Sequence, residues 1–292
     1  MKDILLQDLT SQDGPLFGEK IISISSVSGG CIHEAWHIRT ELGKQFFVKT
    51  NSSKAFSRLE FEADCLNALG EFADEHLLLI PKPLALKQFT SNSVLLLPWL
   101  NLINGDQSNL GEGLASLHKA SNSQNPKKFG WAKDGFIGSE IQKGGWEADW
   151  GECFVNLRLL PQLKNASKWG LHSSTYEKLI VKIIPFLNEH NPQPSLVHGD
   201  LWSGNSGIQI NGKGVMFDPA SWWADREVDI AMTKLFGGFS DSFYRGYNKI
   251  WKIEKGSEKR RDVYNLYHII NHANIFGDSY IGQCLALIKK LS

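Results

Sequence analysis

The first third of the chain is patterned mostly for strands, and most of the rest carries apolar residues at helical spacing. Lys20–Ser28 alternates around Ile21, Ile22, Ile24 and Val27. His33–Thr40 and Gln45–Thr50 are strand-like, with Glu41-Leu42-Gly43-Lys44 as a hairpin turn between them. Ser57–Leu69 carries apolar residues at helical spacing and is expected to end at Gly70. Leu77–Leu86 and Ser93–Leu97 read as two further strands, and Pro98–Leu102 as a connector. From Leu110 the period lengthens. Leu110–Ala120, Trp150–Leu163, Ser174–Asn188, Val228–Gly237, Ser240–Ile253, Lys259–Phe276 and Ser279–Leu291 all read as helices, and the Gly-rich stretch Phe129–Trp146 as an ordered loop. The pattern predicts an α+β chain with a β-rich lobe over 1–98, a hinge over 99–102 and a helical lobe over 103–292.

Composition narrows the classes. The chain has 292 residues, with Lys+Arg and Asp+Glu both at 31. A near-zero balance argues against nucleic acid as the main partner, which leaves a basic footprint. No stretch approaches the ~18 apolar residues of a membrane span. The first fifteen residues carry acids early and no long apolar run, so no signal peptide is expected. The four cysteines, Cys31, Cys65, Cys153 and Cys284, lie far apart without zinc spacing. They fit a reduced, cytoplasmic setting. Charge leaves monomer and homodimer equally open. Of ten tryptophans, Trp146, Trp150, Trp202, Trp222 and Trp223 lie in or near the segment that carries the chemistry. Most are expected in the core, although indole faces also stack on sugar rings.

That segment runs from Val197 to Ala231. Asp200 is followed by Asn205 five positions on and by Asp218 eighteen positions on. Phosphoryl transfer needs such a set: one carboxylate orients or deprotonates the attacking hydroxyl, while an amide and a second carboxylate hold the metal on ATP. Magnesium is hard and prefers oxygen ligands. His198-Gly199-Asp200 stands where protein kinases show H-R-D, and Asp218-Pro219-Ala220 where they show D-F-G. Upstream, Gly29-Gly30 sits between two predicted strands, where backbone N–H groups approach phosphate without a Cβ clash. Lys49 ends a strand and is the candidate phosphate lysine. Glu62, with Glu60 as its competitor, is placed to pair with it. Asp229 either holds the catalytic-loop backbone or is an acid favoured at a helix start, and His198 braces the loop.

HGDLWSGN (198–205), FDPASWWADREVDIAMTKLFGGF (217–239), FVKT (47–50), LGEGLASLH (110–118), WEADWGECFVNLRLLPQL (146–163) and YNLYHIINHANIFG (264–277) together resemble the fructosamine kinase (ketosamine-3-kinase) family over nearly the whole chain. The resemblance implies a protein-kinase-like bilobal fold with ATP between the lobes. It also implies ATP-dependent phosphorylation of the 3-hydroxyl of a ketosamine, a deglycation step, on a small ketosamine or a glycated protein lysine. Carried onto this sequence, Asp200 is the base, and Asn205 and Asp218 are Mg2+ ligands. Lys49 holds phosphate and Glu62 pairs with it. Gly29 and Gly30 form the phosphate loop, and Pro98 and Leu100 of the hinge border the nucleotide. Cys31 in that loop reads first as a small loop residue; the resemblance also implies a redox-sensitive thiol, with an intermolecular disulfide as its oxidised form. Trp222-Trp223-Ala224 depart from the smaller aromatic residues and glycine usual in the family, which leaves the acceptor sugar open. Trp202 and one of Trp222 or Trp223 are expected to face it. The competing readings are another small-molecule phosphotransferase of the same fold, acting on an aminoglycoside or choline, and an ATP-binding regulatory pseudokinase.

Overall fold

The computed structural model describes residues 2–27 and 33–292, so Gly29, Gly30 and Cys31 lie outside the described residues. The chain opens with a helix that the alternation did not announce, α1 (Lys2–Thr10). Its only buried residues are Leu5 and Leu9, one turn apart. They pack with Ile38, Val48, Val94 and Leu96 on one face of a sheet.

The strands of this half are β1 (Ile21–Val27), β2 (Glu34–Thr40), β3 (Gln45–Ser52), β4 (Leu78–Leu79), β5 (Ala85–Gln88) and β6 (Asn92–Pro98). The helix α2 (Phe56–Phe72) lies between β3 and β4. Five strands form an antiparallel sheet in the order β1-β2-β3-β6-β5. Alternation in β6 sorts its side chains. Val94 and Leu96 face α1, while Leu95 and Leu97 face Leu59, Ala63 and Leu66 of α2. α2 runs two residues past Gly70, because Phe72 reaches a second core and nothing crowds the glycine. The expected strand Leu77–Leu86 does not form. Pro81 and Pro83 interrupt it, leaving β4 and β5 in different sheets.

The second half begins with α3 (Ser108–Ser123). The stretch expected as a loop instead holds four three-residue strands, β7 (Phe129–Trp131), β8 (Gly135–Ile137), β9 (Glu140–Gln142) and β10 (Gly145–Glu147). Gly130 in β7 has φ +127°, and a Cβ there would lie 2.0 Å from the Gly145 carbonyl oxygen, so this pairing demands glycine. Next come α4 (Trp150–Phe154), a π-helical turn at Val155–Leu159, α5 (Leu160–Asn165) and α6 (Glu177–His190). Then follow β11 (Ser195–Val197), β12 (Ser206–Ile208), β13 (Gly214–Met216) and β14 (Trp222–Ala224). The chain closes with α7 (Glu227–Leu235), α8 (Asp241–Ile250), α9 (Ser257–Phe276) and α10 (Asp278–Leu291).

Two small sheets, β10-β7-β14-β11 and β12-β13-β4, frame the loops after β11 and β13. The largest core surrounds Trp150, Phe154, Trp222, Tyr264 and Tyr267. The Trp150 and Trp222 rings stack with centroids 5.5 Å apart, and the Arg158 guanidinium lies 3.9 Å from the Trp222 ring centroid. Arg158 is itself buried, and its Nε and Nη2 find no hydrogen-bond partner among the described residues. The indole face is therefore a principal neighbour of that charge. Trp222→Ala is expected to cost about 3–5 kcal/mol by removing a buried ring. A denaturant melt of the variant checks this, and a loss below about 1 kcal/mol contradicts the core assignment.

Candidate active site

The cleft of about 450 Å³ is lined by the sheet, α2, the loops after β11 and β13, the β8–β9 hairpin and one end of α9. Lys49 on β3 is placed by register opposite Ala35 and Leu95. Its Nζ donates to Glu62 Oε1 and to Asp218 Oδ1, each at 2.7 Å. Glu60, two residues earlier and so on the other side of α2, turns instead to Lys133 at 3.3 Å. Burial opposes the charge on Lys49, but Asp218 and Glu62 override it and hold the ammonium above its ordinary range. Burial raises the Glu62 carboxyl, and Lys49 pulls it back.

The loop after β11 is fixed by its backbone. Asp229 Oδ2 accepts from the His198 N–H at 2.7 Å, and Oδ1 accepts from the Gly199 N–H at 2.9 Å. Behind it, His118 Nε2 lies 3.1 Å from Asp229 Oδ2, and His118 Nδ1 lies 2.9 Å from the Tyr247 hydroxyl. Gly199 has φ +83°, and a Cβ there would come within 2.1 Å of the Ala220 carbonyl oxygen. This explains the glycine between His198 and Asp200. His198 Nε2 donates to the Phe217 carbonyl at 3.0 Å. That fixes the tautomer and leaves Nδ1 to accept the Asp200 N–H at 3.3 Å. His198 thus ties the two loops together.

Asp200 and Asn205 meet at the turn between them. Asn205 Nδ2 donates to the Asp200 carbonyl oxygen at 2.9 Å and to Oδ2 at 3.3 Å. Burial, reinforced by the negative charge of Asp218, pushes the Asp200 carboxyl up to about 7. Asp218 itself has φ +58°, a left-handed conformation uncommon outside glycine, though asparagine and aspartate adopt it more readily than other residues. Burial works against its charge too, but Lys49 keeps the carboxyl below the usual range. With the Asn205 amide nitrogen committed to Asp200, its carbonyl oxygen and the Asp218 carboxylate are the remaining donors. Two hard oxygens suit magnesium.

Pro98 and Leu100 line the cleft beside Phe47, Leu97 and Trp99. Trp202 also lines it and is 37% exposed. The expectation for Trp222 and Trp223 is corrected. Successive residues of β14 point to opposite faces. Trp222 is buried against Trp150 and Arg158, while Trp223 packs edge-on against Phe72 with centroids 6.1 Å apart. Neither lines the cleft. Sequence reasoning missed His33 and Arg58, the hairpin residues Phe136–Gly138, and Asn271, His272 and Phe276 on α9. The α9 residues had a legible signal, since His272 and Phe276 stand four apart on one helix face.

A second acid and imidazole group, His190, Asp225 and Glu227, brings three ligand atoms within 4.8 Å. Arg260 holds both Glu227 oxygens at 2.7 and 2.8 Å, and the Tyr264 hydroxyl donates to Asp225 at 2.6 Å. These atoms satisfy one another as a buried structural network. No helix among the described residues is long and apolar enough to cross a membrane.

The model of the fructosamine kinase family matches residues 5–292. A probable ketoamine kinase from Synechocystis sp. is 36% identical over 289 residues, covering 98% of this chain and 95% of that protein. A chloroplastic protein-ribulosamine 3-kinase from Arabidopsis thaliana is 38% identical over 275 residues, covering 92% and 82%. The crystal structure of a candidate fructosamine-3-kinase from Haemophilus somnus superposes with a TM-score of 0.85 at 30% identity, covering 98% of this chain and 96% of that one. The architecture is accordingly the bilobal protein-kinase-like α+β fold. With a family match running nearly end to end and a cleft that gathers Lys49, Asn205, Glu62, Asp200 and Asp218, this chain belongs to the fructosamine kinase family.

Proposed function

We propose that the chain is an ATP-dependent kinase that phosphorylates the 3-hydroxyl of a ketosamine. The observation that carries this reading is the set of short contacts in one cleft. Lys49 is clamped between Glu62 and Asp218, and Asp200 is bonded to Asn205 beside them. Membership in a family of ketoamine and ribulosamine kinases supports the acceptor class.

In this reading Lys49 meets the α- and β-phosphates of ATP, and Pro98 and Leu100 border the nucleotide at the lobe connector. Asn205 and Asp218 would hold magnesium, which neutralises phosphate charge when bound. Asp200 is oriented by the Asn205 amide and left off the metal. It accepts the proton of the sugar hydroxyl as that oxygen bonds to the γ-phosphorus. The bond from that phosphorus to the β-γ bridging oxygen breaks, and ADP leaves. Asp229 and His198 do not touch the reactants. They hold the backbone that presents Asp200. Trp202, two residues beyond Asp200, offers its indole face to the sugar.

The test is magnesium-dependent ADP release with ribulosamines, erythrulosamines and fructosamines, with choline and an aminoglycoside as controls. Turnover is expected on ketosamines alone. Turnover confined to a control would keep the fold and overturn the acceptor.

A further inference from the structure

On the sheet side of the cleft the lining residues fall in order along β3. Pro98 of the connector pairs with Phe46, and Phe47 and Lys49 then face the cleft from alternate positions. Asn51 follows, two residues or about 7 Å of strand beyond Lys49. On the neighbouring strand Ala35 lies opposite Lys49. His33, two residues before Ala35, lines the cleft with it. A nucleotide with its base at the connector and its α- and β-phosphates at Lys49 therefore extends its third phosphate toward His33.

The tautomer of His33 is set by its neighbour. The Ser52 N–H donates to Asn51 Oδ1 at 2.8 Å, which leaves the amide nitrogen to face His33. That nitrogen lies 3.0 Å from His33 Nδ1. An amide nitrogen only donates, so Nδ1 carries the lone pair and Nε2 the hydrogen. Among the described residues Nε2 has no partner. Burial, then the Lys49 charge, outweigh Asp218 and hold the imidazole down to about 4, with Arg58 acting in the same direction as Lys49. The ring is thus a neutral donor with a fixed hydrogen. The cations beside it are already engaged. Lys49 is held by two carboxylates, and Arg58 donates to the Gly138 and Ser139 carbonyls.

Resting on the kinase reading above, we propose that His33 donates from Nε2 to the terminal phosphate of ATP, and that this contact makes the cleft favour the triphosphate over the diphosphate. Asp218 supports the placement. It would hold the metal that bridges the last two phosphates, and it is the acid whose charge reaches His33. A hydrogen bond to an ionised oxygen is stronger than one between neutral groups. ADP keeps Lys49 but lacks the oxygen that Nε2 meets. Once the phosphoryl group has passed to the sugar, the contact is lost from the nucleotide, and ADP is held less tightly than the ATP that replaces it.

The experiment measures equilibrium binding of two magnesium nucleotides, ADP and the non-hydrolysable β,γ-imido analogue of ATP, to the wild-type chain and two variants. His33→Asn keeps an acceptor for Asn51 and removes the donor at the Nε2 position. His33→Gln places an amide N–H there again. In His33→Asn the affinity for the triphosphate analogue is expected to fall about tenfold, the size of one hydrogen bond to a charged group, while ADP affinity stays within about twofold. In His33→Gln the analogue is expected to recover most of that loss. Equal weakening of both nucleotides, no weakening of either, or no recovery in His33→Gln overturns the assignment of His33. Because the readout is binding, the identity of the acceptor does not enter it. Absence of nucleotide binding by the wild-type chain overturns both this assignment and the kinase reading.

Discussion

Asp200→Asn is expected to lower kcat by about 10²–10⁴-fold, the range supplied by a positioned general base, while nucleotide affinity stays within a few-fold of wild type. The substitution keeps the shape of the side chain and removes its capacity to take a proton. The loop should hold its form, because its anchors lie elsewhere. Asn205 also donates to the Asp200 backbone carbonyl, and Asp229 holds the two preceding amides. Phosphate positioning by Lys49 is untouched. ADP release at saturating substrates, together with equilibrium nucleotide binding, separates the two quantities. A variant that retains near-wild-type kcat removes Asp200 from the role of base.

Asp218→Asn is expected to cost a comparable factor in kcat, about 10²–10³-fold for the loss of a preorganised charge at the transferring phosphoryl group, with a different signature. Here the magnesium concentration for half-maximal rate should rise by an order of magnitude or more. In Asp200→Asn it should stay put. The physical basis is the double use of one carboxylate. Asp218 neutralises Lys49 in the structure and is the more exposed of the two acids bonded to that ammonium. It is thus the one available to a cation entering the cleft. Lys49 keeps Glu62 in the variant, so the fold should survive. An unchanged magnesium dependence would mean that Asp218 is not a ligand.

The parts of the molecule legible in the sequence were those where one physical period ran long enough to be seen. β6 was legible as a strand through its continuous apolar run Val94–Leu97, while which residue faces which helix appeared only in the fold, since both faces are buried. Glu62 over Glu60 was favoured only modestly by helical register, and the contact of Glu62 with Lys49 decides it. Three-residue strands such as β7 to β10 contain less than two periods, and their glycines suggested irregular backbone. There Gly130 is present because another backbone lies 2.0 Å from where its Cβ would be, a reason visible only in three dimensions. α1 carries two buried leucines among polar neighbours, too little pattern to register. Nearness in sequence to a catalytic acid misled for Trp222 and Trp223. A strand turns adjacent side chains to opposite sides, and neither side of β14 here is the cleft.

The short parallel pairing of β4 with β13 has a mechanical consequence. Leu78 and Leu79 precede the connector in the chain, yet they pair with Gly214 and Val215, and Leu78 is buried in the core with Leu110 and Leu114. The connector is itself pinned at both ends, by the Trp99 N–H to the Gln45 carbonyl and the Ile103 N–H to the Ile208 carbonyl. The β4 pairing holds β13, which ends two residues before Asp218, directly to the first half. The height of Asp218 against Lys49 is thus set by backbone as well as by their own ion pair, and survives when that pair opens for a cation.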